Sequence, residues 1–137
     1  MIKVNIVAVG RVKEKYFSDG IAEYAKRLKG YCKFTVTEVA EENFDKTDLA
    51  KIQTIKEREG DRILSALSGY VVLLDVKGKK LSSKDLADKI RTVADLKGGV
   101  ITFVIGGSYG VSEKVKERAD ELISFSDMTF PHTLFRL

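Results

Sequence analysis

The only histidine of the chain, His132, follows its only proline, Pro131, and Arg136 stands four residues further on. On a helix that spacing is one turn, so both side chains share a face. A neutral imidazole accepts a proton or hydrogen bond, and a guanidinium forks onto a phosphate or carboxylate, so the pair suits proton transfer beside an anion. Pro131 fits a first helical position, which places His132 in a first turn; a purely structural cap explains these residues equally well. Upstream, Val100-Ile101-Thr102-Phe103-Val104-Ile105 is rich in β-branched residues and breaks into Gly106, Gly107 and Gly110. Glycine permits positive φ and a close approach of backbone N–H groups to a ligand, so a buried strand ending this way presents a binding edge. Taken alone, the glycines also fit a tight turn. The segment Ser124-Phe125-Ser126-Asp127-Met128-Thr129-Phe130-Pro131-His132 is the natural partner of that edge.

Other chemistries find less support. The loop reads Gly-Gly-Ser-Tyr-Gly rather than Gly-x-Gly-x-x-Gly, and Lys114 is not set up as a Walker lysine, which demotes dinucleotides and nucleoside triphosphates. Asp75 ends a strand where a phospho-accepting receiver domain keeps its acceptor, yet Val9-Gly10-Arg11 lacks the acidic pair needed for Mg²⁺. No serine sits on a nucleophile elbow. One cysteine and one histidine do not make a structural zinc site, and no metal is expected. Cys32 reads as a packing residue in a half-buried strand, without an activating neighbour.

These residues are carried by 137 positions, 44% hydrophobic and 32% charged, which suits one soluble domain burying about 68% of its unfolded surface. No apolar run approaches the ~18 residues of a membrane span. Met1-Ile2-Lys3-Val4 leads straight into strand pattern, so a cytoplasmic protein without a membrane partner is expected. The net charge of +4 is unevenly placed. Residues 1–36 hold eight basic groups against three acidic ones, a balance of 8 − 3 = +5, and the remainder is 16 − 17 = −1. A basic end on a nearly neutral body suits a phosphate-rich partner, though a solvated helix face reads the same way.

Apolar periodicity alternates along the whole chain. Ile2 to Val9 reads as a buried strand, followed by a basic loop from Gly10 to Tyr16. Ile21, Tyr24, Ala25 and Leu28 then mark one face of a helix stopped by Gly30. Lys33 to Val39 alternates as a more exposed strand. Leu49, Ile52, Ile63, Leu64 and Leu67 mark a long helix with a charged middle, Lys56-Glu57-Arg58-Glu59, and Gly60 as its weak point. Tyr70 to Val76 is a second apolar strand, and Lys77-Gly78-Lys79-Lys80 a basic turn. Ser82 and Asp85 form a capping box for a helix carrying Leu86, Ile90 and Val93, which Gly98-Gly99 ends. Ser112 caps the next helix, with Glu113 at its positive end and Val115, Ala119 and Leu122 inward. A last strand covers about Leu122 to Ser126. Five strands with intervening helices predict an α/β domain: a mostly parallel five-stranded sheet, helices on both faces, and ligands at the carboxyl ends of the strands. The candidate edges are Leu74-Asp75, Gly106-Gly107 and Phe125 to Phe130.

In these residues the chain resembles the RlmH family of SPOUT-class methyltransferases. The likeness covers nearly the whole sequence. It includes Val7-Ala8-Val9-Gly10 before Lys13-Glu14-Lys15-Tyr16, Glu23-Tyr24 with Lys26-Arg27-Leu28, and Glu57 to Ile63. It continues in Leu74-Asp75 before Gly78-Lys79, in Ile105-Gly106-Gly107-Ser108, and in Leu122 to His132 with Arg136. The resemblance implies one trefoil-knotted domain over residues 1–137, S-adenosyl-L-methionine as methyl donor, and a homodimer. It further implies methyl transfer to N3 of pseudouridine 1915 in 23S rRNA, within the ribosome or its large subunit. Position by position, cofactor contacts fall on Leu74, Gly106, Phe125, Ser126, Asp127, Met128, Thr129 and Phe130. His132 and Arg136 are the catalytic candidates. Arg11, Lys13 and Lys15 would hold RNA phosphates. Family members continue beyond the counterpart of Arg136 into a long helix ending in a Tyr-His pair, so the family's C-terminal helix is expected to be missing here. A noncatalytic RNA- or ribosome-binding module using the basic end alone is the alternative from another class.

Overall fold

The computed structural model describes residues 1–42, 50–96 and 98–137. Leu49, expected on the second helix, lies outside the described residues. In chain order the elements are β1 (Lys3–Val9), α1 (Lys15–Leu28), β2 (Lys33–Val39), α2 (Ala50–Ala66) and β3 (Tyr70–Lys80). They continue as α3 (Ser83–Leu96), β4 (Val100–Ile105), α4 (Glu113–Arg118), β5 (Glu121–Ser124) and α5 (His132–Arg136). The strands form one sheet in the order β2-β1-β4-β3-β5, every neighbouring pair parallel. All five carboxyl ends therefore open on the same edge.

Alternation along the strands divides the core into two layers. Val71 and Leu73 join Val7, Val9 and Val104 on one face, where Ile63 of α2 and Val115 of α4 cover them. Val72 faces the other way with Ile101, Phe103 and Ile123, under Val93 of α3. Both faces are dry, which accounts for continuous apolar runs in the central strands. Cys32 is buried just before the outer strand β2, and burial pushes its thiol up, away from the reactive thiolate.

Five local expectations are corrected. Lys77-Gly78-Lys79-Lys80 is not a turn between elements. The chain leaves β3 after Leu74 and rejoins it at Lys79, both residues standing opposite Ile123 of β5. Gly78 makes this possible, because a Cβ there would lie 2.6 Å from the Ile123 nitrogen and the Leu122 carbonyl carbon. Gly60 is a contact rather than a weak point. Its Cβ would collide with the Ser112 hydroxyl, so α2 and the start of α4 touch closely there. For the same reason Ser112 occupies the N-cap of α4 without a side-chain capping bond. Tyr24 faces solvent beneath the Arg27 guanidinium, 5.3 Å from its ring centroid, instead of facing the core. Finally, β5 ends at Ser124. The Ser124 hydroxyl donates to the Ser126 carbonyl (2.9 Å), and the Met128 N–H donates to the Ser126 hydroxyl (3.0 Å), turning the chain out of the sheet. The cap expected at Ser82 is present, its hydroxyl accepting the Asp85 N–H at 3.0 Å.

Candidate functional site

Three strand exits enclose one cavity of about 300 Å³, the size of a small-ligand site. Leu73, Leu74, Asp75 and Val76 come from β3, and Ile105, Gly106, Gly107, Gly110 and Val111 from β4 and its loop. The segment after β5 supplies Phe125, Ser126, Met128, Thr129, Phe130, His132 and Phe135, with Ser124 beneath them. The parallel sheet explains the convergence: β4 and β5 flank β3 and all three end together.

The glycine loop has its shape for steric reasons. Gly107 and Gly110 close a tight turn, the Gly110 N–H donating to the Gly107 carbonyl at 3.0 Å, and Gly110 has φ +85°. Gly106 has no positive φ; a Cβ there would lie 2.8 Å from Val111 Cγ1. A Cβ on Gly107 would lie 2.9 Å from Glu59 Oε1. Bare backbone thus forms this wall of the cavity, and space rather than dihedral freedom requires two of the three glycines.

Of the residues singled out in the sequence, Leu74, Gly106, Phe125, Ser126, Met128, Thr129, Phe130 and His132 line the cavity. Asp127 does not; its carboxylate pairs with Lys80 at the edge of β3. Arg136 shares the α5 helix with His132, but its guanidinium lies outside the cavity lining. It pairs with Glu38 and donates to the carbonyls of Val9 (3.3 Å) and Gly10 (3.1 Å). Two carbonyls at the end of β1 and one carboxylate take the terminal nitrogens of a side chain only 3% exposed, while its Nε has no hydrogen-bond partner among the described residues. α5 has five residues, too few to be stable alone, and this anchor with the Phe125, Phe130 and Phe135 ring cluster holds it over the cavity. Arg11, Lys13 and Lys15 are exposed after β1, the strand next to β4, on the same edge of the sheet. Lys15 makes an exposed pair with Asp19 at 3.8 Å.

Glu59 is the residue that sequence reasoning missed. It reads as part of a solvated charged stretch, yet it is 4% exposed. The signal is its spacing, midway between Ile55 and Ile63 at intervals of four, which puts it on the buried stripe of α2. Its Oε2 accepts the Glu42 N–H at 3.0 Å, while Oε1 has no hydrogen-bond partner among the described residues. Burial pushes its carboxyl above the usual range; the Glu42 N–H and Arg62 act against this, while the charges of Glu41 and Glu42 add to it.

The family model described as "Predicted SPOUT methyltransferase" matches residues 2–137. Among curated relatives, the ribosomal RNA large subunit methyltransferase H of Desulfitobacterium hafniense is 42% identical over 140 aligned positions, covering 100% of this chain and 88% of that protein. The proteins of the same name from Clostridium botulinum and Bacillus pumilus are each 44% identical, covering 99% of this chain and 87% of theirs. With a family match over almost every residue and relatives well above 30% identity along the full chain, this protein belongs to the SPOUT methyltransferases, in the RlmH family.

Proposed function

We propose that the chain transfers a methyl group from S-adenosyl-L-methionine to N3 of pseudouridine 1915 in 23S rRNA. It would do so in the cytoplasm, as a homodimer acting on the ribosome or its large subunit. The observation that carries this reading is the cavity built from three exits remote in sequence, Leu74, Gly106 and the Phe125 to Phe130 segment. The relatives' names point to large-subunit ribosomal RNA as the substrate.

The residues present fit the cofactor. Adenine needs an apolar slot with backbone hydrogen-bonding groups, which Leu74 and the Phe125 to Phe130 segment offer. Gly106 and Gly107 cannot carry side chains without collision, so their backbone is free to contact a bent ligand. When bound, S-adenosyl-L-methionine supplies an electrophilic methyl group on a positively charged sulfur, which departs as a neutral thioether. The chain's own work is to align the acceptor nitrogen and to take its proton. His132, at the cavity wall, is the candidate to accept it. Arg136 acts on this reading as a positioning residue, holding the His132 turn through Glu38 and the end of β1. Asp127 contributes by fixing the tail to Lys80. Arg11, Lys13 and Lys15 extend the strand-end edge with positive charge for RNA phosphates.

Two further expectations belong to the same proposal. The close passage of Gly78 over the β5 backbone supports a threaded, knotted connection at β3 and β5. Exposed Phe125, Met128 and Phe130 on the cavity lining support a partner subunit against this face. Calorimetric titration with S-adenosyl-L-methionine, together with transfer of labelled methyl to large-subunit RNA, tests the function. Saturable binding and RNA labelling are expected. RNA binding without any response to the cofactor would reject methyl transfer in favour of a noncatalytic RNA-binding module.

A further inference from the structure

Glu59 stands directly behind the glycine wall of the cavity. Gly107 has no Cβ, and one placed there would come within 2.9 Å of Glu59 Oε1 and 3.2 Å of Val9 Cγ1. The carboxylate therefore lies against Gly107, a residue of the cavity lining, without lining the cavity itself. Its other oxygen is held by the Glu42 N–H, so the side chain is fixed rather than free to turn towards solvent. A carboxylate this buried, with one oxygen lacking a hydrogen-bond partner among the described residues, is stabilised most by a positive charge placed nearby. Among the described residues, the cavity lining holds no lysine or arginine.

We propose that Glu59 is a specificity-determining residue that makes the cavity prefer a sulfonium ligand to its neutral thioether counterpart, by placing a buried negative charge behind Gly107. The inference rests on the reading of this cavity as the cofactor site. Substrate and product of methyl transfer, S-adenosyl-L-methionine and S-adenosyl-L-homocysteine, share the nucleoside, the amino group and the carboxyl group. They differ in the methyl group and its fixed positive charge, so contacts to the shared parts give little discrimination, while a charge in low dielectric acts strongly on the difference. The consequence is tighter substrate binding without slower product release.

Among the described residues, the charged groups facing Glu59 are Arg62 on its own helix and Glu41 and Glu42 after β2; Val9 and Gly107 present no charge from β1 and the β4 loop. Across the wall, the cavity lining adds Asp75 and His132. Only the ionised form of Glu59 attracts the sulfonium, so the preference should grow as pH rises through its raised titration range.

The test is calorimetric binding of both ligands at about pH 5 and about pH 8 to the full chain and to its Glu59→Gln, Asp75→Asn and His132→Gln variants. The affinity ratio of sulfonium to thioether should rise with pH in the unaltered protein. In Glu59→Gln it should fall at about pH 8 by about fivefold or more, the size of an ordinary coupling, and lose its pH dependence. Affinity for the thioether should change little. If both ligands bind with a ratio that Glu59→Gln leaves unchanged, or that follows Asp75 or His132 alone, the inference falls while the cavity reading stands. If neither ligand binds, the cavity reading falls and takes the inference with it. Should Glu59→Gln not fold, the Asp75→Asn/His132→Gln double variant decides: a retained rise of the ratio with pH supports Glu59, and a flat ratio overturns it.

Discussion

A buried carboxyl such as Glu59 leaves a mark on stability as well as on binding. Desolvation favours its neutral form in the folded state, so the folded titration lies above the unfolded one. Its contribution is then fully present below the ordinary carboxylate range and is lost as pH rises through the raised value. Glu59→Gln keeps an acceptor for the Glu42 N–H and removes the ionisation. Urea unfolding should show the variant level with the unaltered protein at about pH 4 and more stable at about pH 8. His132 makes the opposite kind of contribution, to rate rather than to stability. Removing a general base typically costs about 10²- to 10⁴-fold in rate, so His132→Gln should lose methyl transfer on that scale. Cofactor binding, measured by calorimetry, should stay within a few fold. The histidine was legible in the sequence as the only one present, next to the only proline. Glu59 was not, because a Lys-Glu-Arg-Glu run looks solvated until its register with Ile55 and Ile63 is counted.

At the level of elements, the strand exits depend on close backbone contacts that side chains would break. Gly78→Ala places a methyl 2.6 Å from two β5 backbone atoms, which cannot move as a side chain does. Overpacking of this kind typically costs about 1–3 kcal/mol, and a lowered Tm with weakened cofactor binding should follow together. α5 depends on Arg136 in the same way. Arg136→Ala leaves the Val9 and Gly10 carbonyls without that donor, at a typical cost of about 1–3 kcal/mol. Limited proteolysis should then cut between Phe125 and Leu137 at protease levels that leave the unaltered chain intact. The alternating strands and helices were readable because both faces of the sheet are covered, which forces apolar runs of recognisable length. The bulged return of β3 at Lys79 was hidden, since a Lys-Gly-Lys-Lys stretch has turn chemistry and only its pairing with β5 makes it a strand. Ser112 misled similarly: its residue type suits a cap, but Gly60 takes its side chain as a packing surface.

Across the whole molecule, the parallel sheet brings every strand exit to one edge, with the cavity at β4, β3 and β5 and the basic loop beside it after β1. RNA bound along that edge should lose affinity with salt. Lys13→Ala and Lys15→Ala should each lower the slope of log K against log salt by about 0.7 to about 1, as read by fluorescence anisotropy. Strand count, layering and the meeting of the three segments followed from periodicity and glycine placement. The identity of the ligand did not, since composition and spacing describe a hollow but not what fills it; family membership supplies that link. The central claim is that Leu74, Gly106 and Met128 enclose a methyl-donating nucleoside, and amide NMR of the labelled chain titrated with S-adenosyl-L-methionine tests it most directly. Saturable shifts concentrated at these three positions and their neighbours are predicted, whereas no binding, or shifts gathered elsewhere on the molecule, would contradict it.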